Sequence, residues 1–133
     1  MLVPLKRQER FDRLEQLRQL HDYLQTHLPE GDYVMVVVEQ LGDAKFNRGL
    51  LLNIAYNKLP YKCDQIILHD VDLIPSEDLV PLYHQHIDSG KVLHLGARWN
   101  RYSNNIDYLG GVTALPSRDF EAINGFPNTF WGW

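Results

Sequence analysis

One cysteine, Cys63, stands in 133 residues. An internal disulfide is therefore excluded, and no cysteine–histidine spacing for zinc is present. Positive charge is also short: the formal net charge is −4, so no basic field is available to attract nucleic acid. No apolar run approaches the length of a membrane span, and the N-terminus lacks a signal-peptide core. Internal repeats and low-complexity tracts are missing as well. What is left is ordinary, with 44% hydrophobic and 23% charged residues, the balance of a soluble globular protein. At this length residues 1–133 are expected to form a single domain with a real core.

The stretch from Gln65 to Pro75 organises the rest. Ile66-Ile67-Leu68 is an apolar, β-branched run of strand length, and Asp70 and Asp72 follow it one residue apart. In an extended chain both carboxylates point to one face, where they repel unless a proton or a divalent cation relieves them. The carboxyl end of a buried strand is also where α/β sheets place ligands. Two readings stay open on these residues alone: a metal–phosphate site, or two loop aspartates in water.

Elements of both periods surround this strand. Met1 to Pro4 reads as a strand end, with Pro4 stopping the pairing. Lys6, Arg7, Arg10 and Arg13 then sit at the start of an amphipathic helix with Phe11, Leu14, Leu17, Leu20, Leu24 and Leu28 on its apolar side, ended by Pro29 and Gly31. Cations are disfavoured at a helix N-terminus, so that cluster is either an anion site or a solvated face paired with Glu9 and Asp12. Tyr33 to Glu39 reads as a central strand buried on both faces. Phe46-Asn47-Arg48-Gly49 leads into a helix to about Asn57 with Leu50, Leu51, Ile54 and Ala55 inside, and Arg48 aims at a ligand or at solvent. Ser76 is expected to cap a short helix limited by Pro81, while His84 and His86 fall on different faces and form no metal pair. Lys91 to Ala97 reads as a strand, residues 98–107 as a long polar loop, and Tyr108 to Leu115 as a strand opening in a glycine pair. Ser117 is expected to cap a last helix closed by Asn124-Gly125, before an aromatic loop from Phe126 to Trp133. Strands alternating with helices predict an α/β layered domain.

Several of these pieces together resemble one family, the β-1,4-galactosyltransferases. They are Val3-Pro4 with the basic cluster, Phe46-Asn47-Arg48, Asp70-Val71-Asp72-Leu73-Ile74-Pro75, Tyr108-Leu109-Gly110-Gly111-Val112, and Asn124-Gly125-Phe126-Pro127-Asn128 with Trp131-Gly132-Trp133. They stand in the family's order at compatible spacings over nearly the whole chain. The resemblance implies a GT-A-type nucleotide-sugar-binding domain with a central, mixed and mostly parallel sheet flanked by helices. It implies an inverting transfer of galactose from UDP-galactose to a saccharide acceptor hydroxyl, with Mn²⁺. Asp72 would then be the metal ligand, and Asp70, with Val71, would lie near the donor's ribose or galactose. Pro4, Lys6 and Arg7 match the uridine- and phosphate-binding segment, although the family usually has Arg-x-Arg where this chain has Lys6-Arg7-Gln8. Phe46 and Arg48 match the uracil and diphosphate contacts, and Arg98 falls where the family has a lysine near the donor. Tyr108 falls where a tyrosine restricts the sugar pocket. Gly110 and Gly111 would lie by the acceptor or donor sugar, and Trp131, Gly132 and Trp133 would form the flexible lid.

In the family the catalytic base follows directly after Trp-Gly-Trp, and a histidine and a methionine further on complete the metal site. The sequence stops at Trp133, an unusual place for exposed aromatics, so it reads as a fragment that holds the donor site without the base. Two other readings remain beside this one. An N-acetylgalactosaminyltransferase or chondroitin-polymerase-like enzyme shares a similar lid and aspartate motif, and a non-catalytic remnant would bind the nucleotide sugar alone. His69 before Asp70 points towards the branch that galactosylates xylose. The compartment is cytoplasmic for a bacterial or viral protein and the Golgi lumen for a eukaryotic catalytic fragment.

Overall fold

The computed structural model describes residues 1–7, 12–99 and 107–132, with Arg98 described by its backbone. The elements are β1 (Leu2–Leu5), α1 (Arg13–His27), β2 (Val36–Glu39), α2 (Arg48–Asn57), β3 (Gln65–His69), a 3₁₀ turn over Glu77–Tyr83, β4 (Leu93–His94), a second 3₁₀ turn over Leu95–Arg98, β5 (Val112–Pro116) and α3 (Ser117–Ala122). The strands form one sheet in the order β2-β1-β3-β5-β4. β1 runs parallel to β2 and β3, and β5 runs antiparallel to β3 and β4. The sheet is therefore mixed, as expected, but its neighbour pairs divide evenly, two parallel and two antiparallel, rather than being mostly parallel.

Alternation along the strands divides the core into two layers. Val3, Leu5, Ile67, Val112 and Ala114 face Leu20 and Leu24 of α1 and Tyr83 of the first 3₁₀ turn. Leu2, Ile66, Leu68 and Leu115 face Leu52 and Ala55 of α2 and Phe120 of α3. Leu20, Leu24 and Leu52 are fully buried, worth about 2 kcal/mol each relative to exposure.

Several expectations need correction. Pro4 does not end the first strand but lies inside it, in register with Val38. The carbonyls of Met1 and Leu5 accept from β2, so Pro4's missing N–H falls on the β3 side, and β1's pairing with β3 is confined to Leu2↔Leu68. Tyr33 to Glu39 is not a central strand: only Val36–Glu39 is extended pairing, and it lies at the sheet edge. Of the described members of the basic cluster, only Arg13 opens α1. Lys6 and Arg7 precede the helix, Arg10 and Phe11 lie outside the described residues, and Asp12 caps the helix from its carboxylate. Leu14 is exposed. The buried side of α2 is Leu51, Leu52 and Ala55 rather than Leu50 and Ile54. Ser76 makes no side-chain cap bond. Lys91 to Ala97 shrinks to a two-residue strand followed by a 3₁₀ turn, and the strand expected from Tyr108 starts only at Val112. Ser117 is the first residue of α3, and Pro116 occupies its cap position. Asn124 and Gly125 do close α3, with positive φ of 58° and 66°.

Candidate active site

The two aspartates sit beyond the carboxyl end of β3, but not in an extended chain. The strand ends at His69, and Asp70-Val71-Asp72-Leu73 is a turn, closed by the Leu73 N–H donating to the Asp70 carbonyl at 3.3 Å. The side chains consequently separate. Asp70 Oδ1 accepts from Arg48 Nε at 2.9 Å, and Asp72 Oδ2 lies 3.2 Å from Arg13 Nη1. Val71 turns its side chain into the core, so any contact it makes with a ligand falls to its backbone. Burial pushes the Asp70 carboxyl above its usual range, while the Arg48 guanidinium beside it pulls the other way.

Both arginines stand at helix starts. Asn47 caps α2 by accepting the Leu50 N–H at 2.9 Å, and Asp12 caps α1 by accepting the Glu15 N–H at 2.9 Å. Each helix thus begins with an Asx cap followed by an arginine that reaches the turn. Sequence reasoning aimed Arg48 at a ligand or at solvent and left Arg13 in the basic cluster, so it paired neither with the motif, and it did not find either cap as such. The pairing of Arg13 with a residue so far along the chain has no local signal.

The remaining residues gather around this turn to different degrees. The Asp70 N–H donates to the Gly111 carbonyl at 2.9 Å, and Gly111 holds φ at 79°. His94 Nε2 lies 2.8 Å from the Gly110 carbonyl, to which it donates. A Cβ on Gly110 would come within 2.1 Å of the Tyr108 ring and hydroxyl, so that ring lies directly against the glycine. The tail docks on the start of α2. Asn47 donates to the Asn128 carbonyl, Asn53 donates to the Phe126 carbonyl, and the Gly132 N–H donates to the Phe46 carbonyl at 2.7 Å. Phe46 is buried, while Phe130 and Trp131 stand exposed. Trp133 and the side chain of Arg98 lie outside the described residues. Pro4 is buried in β1. Lys6 donates to the Ala44 carbonyl and Arg7 pairs with Glu39, while Glu9, one of the partners considered for this cluster, lies outside the described residues.

Asp72 is an oxygen donor, the chemistry a hard divalent cation takes. Among the described residues no group of three or more His, Cys, Asp and Glu side chains is arranged to hold a metal ion. The donor chemistry therefore fits, with one protein carboxylate supplied by this turn. Two hollows of about 740 Å³ each lie elsewhere, at the amino end of β3, lined by Tyr61, Cys63, Asp64 and His86.

Residues 1–85 match the N-terminal region of glycosyl transferase group 7, and residues 91–133 match the N-terminal domain of galactosyltransferase. The chain is 36% identical over 141 residues to β-1,4-galactosyltransferase 4 of Rattus norvegicus and 39% identical over 140 residues to that of Homo sapiens. This chain belongs to the β-1,4-galactosyltransferase family. Both alignments cover 100% of this chain but 38% of the relative, so it spans well under half the length of these curated relatives. The catalytic domain of Drosophila β-1,4-galactosyltransferase 7, solved with xylobiose, superposes with a TM-score of 0.75 at 26% identity, covering 99% of this chain and 54% of that one. A mutant of the same enzyme, solved with manganese, UDP-Gal and xylobiose, gives a TM-score of 0.74 at 26% identity over 99% and 55% of the two chains. The fold is thus that of the GT-A galactosyltransferase catalytic domains. No helix among the described residues is long and apolar enough to cross a membrane.

Proposed function

We propose that this chain forms the donor-binding part of an inverting, Mn²⁺-dependent galactosyltransferase that uses UDP-galactose and a saccharide acceptor. The observation that carries the reading is the Asp70–Asp72 turn at the carboxyl end of β3, bracketed by the guanidiniums of Arg48 and Arg13. Asp72 would give the Mn²⁺ one carboxylate oxygen, and the donor's diphosphate would offer the same hard cation further oxygens. Bound there, the cation would supply positive charge against the negative charge that builds on the diphosphate leaving group. Arg48, at the first turn of α2, adds a second positive group to the same oxygens. Lys6 and Arg7, at the end of β1, extend the positive edge towards the uridine. Phe46 offers the uracil an aromatic neighbour. The Tyr108 ring, seated on Gly110, narrows the pocket for the sugar, and Trp131 with Gly132 lies on the acceptor side.

Inversion needs a base on the acceptor hydroxyl. Asp70 and Asp72 are each ion-paired to an arginine, so neither is arranged for that task. The manganese, UDP-Gal and xylobiose held by the Drosophila relative support the ligand classes proposed here.

Calorimetric titration with Mn²⁺, then UDP, then UDP-galactose against UDP-N-acetylgalactosamine tests the reading. Mn²⁺-dependent UDP binding is expected, with preference for the galactose donor. Asp72→Asn is expected to weaken it by about tenfold or more, the loss of a charged ligand contact worth roughly 1.5–3 kcal/mol. Binding that ignores Mn²⁺, or that survives Asp72→Asn unchanged, sinks the assignment.

A further inference from the structure

The imidazole of His69 plays no part in the roles above, yet it is fully buried and engaged at both nitrogens. Nδ1 lies 2.8 Å from the carbonyl oxygen of Asp70, and Nε2 lies 2.8 Å from the hydroxyl of Tyr83. A carbonyl oxygen only accepts, so Nδ1 carries the proton and Nε2 accepts from the Tyr83 hydroxyl. A single tautomer satisfies both contacts. Burial also drives the imidazole pKa down to about 4, which keeps the ring neutral at physiological pH, as that tautomer requires.

The oxygen that His69 holds is the first one of the aspartate turn. The turn's own closing bond, from the Leu73 N–H, is long at 3.3 Å, and the imidazole supplies the shorter contact to the same carbonyl. Behind the ring stands Tyr83, 4% exposed and packed in the core layer that also holds Val71 and Leu73. The Asp70 N–H is meanwhile tied to Gly111 on β5's approach. The backbone of Asp70 is thus held at both its N–H and its carbonyl.

We propose that His69, backed by Tyr83, is a positioning residue of the donor site: it pins the Asp70 carbonyl and thereby sets the turn that presents Asp72 to a divalent cation and Asp70 to Arg48. The ligand in this proposal rests on the donor-site reading above, while the residue rests on the hydrogen bonds alone.

Two measurements test it. Imidazole ¹⁵N spectra of the wild-type chain are expected to show His69 as the neutral Nδ1–H tautomer at pH 7. An Nε2–H ring, or a charged one, overturns the proposal. Mn²⁺ and then UDP are next titrated into the wild type, His69→Gln, His69→Asn and Tyr83→Phe. Asparagine puts an N–H near the place of Nδ1, whereas glutamine reaches towards Tyr83 and leaves the Asp70 carbonyl without its donor. His69→Gln is expected to lose about tenfold or more in Mn²⁺ affinity, the size found for outer partners of metal ligands. His69→Asn is expected to recover most of that, although both variants lose thermal stability. Should the His69 variants fail to fold by circular dichroism, Tyr83→Phe, which keeps the ring, is expected to shift Mn²⁺ affinity in the same direction by less. Normal wild-type binding with unchanged affinity in every folded variant overturns the proposal and spares the donor site. No Mn²⁺-dependent UDP binding by the wild type overturns both.

Discussion

Two helices begin beside the aspartate turn, and their starts are alike in sequence but unlike in surroundings. Asp12-Arg13 opens α1 and Asn47-Arg48 opens α2, each with a side-chain cap and each with an arginine on one aspartate. Asn47, however, is 1% exposed. Its amide donates to Asn128, and its backbone N–H donates to the Gln40 side chain. Asp12 is exposed. The difference continues into the turn, where Asp70 is tied through its N–H to Gly111, through its carbonyl to His69 and Leu73, and through its carboxylate to Arg48. The α2 side is therefore a frame joined to the tail, to β5's approach and to the core. The α1 side carries Asp72, the carboxylate that would exchange a guanidinium for a cation. On the proposed reading as a donor site, the α2 side is its fixed wall.

Acid should break the fixed wall first. His69 titrates near 4 in the folded chain against 6.5 for the free side chain. A lowered histidine pKa means that the unfolded chain binds more protons between those values, so the stability is complete above about pH 6.5 and is lost as pH falls towards 4. The span corresponds to about 3 kcal/mol. Asp70 acts in the opposite sense: its raised pKa costs stability at neutral pH, and that cost disappears as pH falls through it. Urea unfolding of wild type and His69→Asn at pH 7 and pH 4 measures the difference. The variant is expected to be flatter with pH. An identical slope would mean that His69 is not the group lost in acid.

The two caps give the next largest contrast. Asn47→Ala removes a cap and leaves the Asn128 carbonyl without its buried donor, together about 2–3 kcal/mol. Asp12→Ala removes an exposed cap, about 1 kcal/mol or less. Asn47→Asp keeps the cap oxygen but not the donor, and is expected to fall between them in denaturant midpoint. Equal losses at positions 12 and 47 would erase the asymmetry between the helix starts.

The sequence made some of this readable and hid the rest for identifiable reasons. The apolar run Ile66-Ile67-Leu68 before Asp70 marked a buried strand, and with it the place of the candidate site, because hydropathy reports burial directly. The same signal misled at Val36-Val37-Val38. Tyr33 and Met35 pack on one core layer and Val36 and Val38 on the other, so the run is partly covered on both faces although Val37 is exposed and β2 is a lateral edge. Hydropathy records covered faces and says nothing of which strand lies beside which. Asp70 and Asp72 were legible as a pair, but the turn that sends them to different arginines was not. It depends on the Gly111 carbonyl and the His69 imidazole, which arrive from β5's approach and from burial. Phe46-Asn47-Arg48 was legible as part of a family pattern, whereas the docking of Asn128 and Gly132 on it is a contact across most of the chain.

The smallest expected effect sharpens the contrast from outside both helix starts. Arg7 pairs with Glu39 across the ends of β1 and β2, and its side chain is 65% exposed. An exposed pair of this kind is screened by water and salt, so Arg7→Ala is expected to move stability by about 0.5 kcal/mol or less. If the positive edge at the end of β1 receives the donor, the same substitution lowers UDP affinity, and the loss shrinks as salt is raised. A thermal melt and a UDP titration at two ionic strengths separate the outcomes. A clear drop in melting temperature with unchanged UDP affinity would make Arg7 part of the fixed wall. The expected pattern, an unchanged melt with salt-sensitive loss of binding, puts it instead with Asp72 among the groups that serve the ligand rather than the fold.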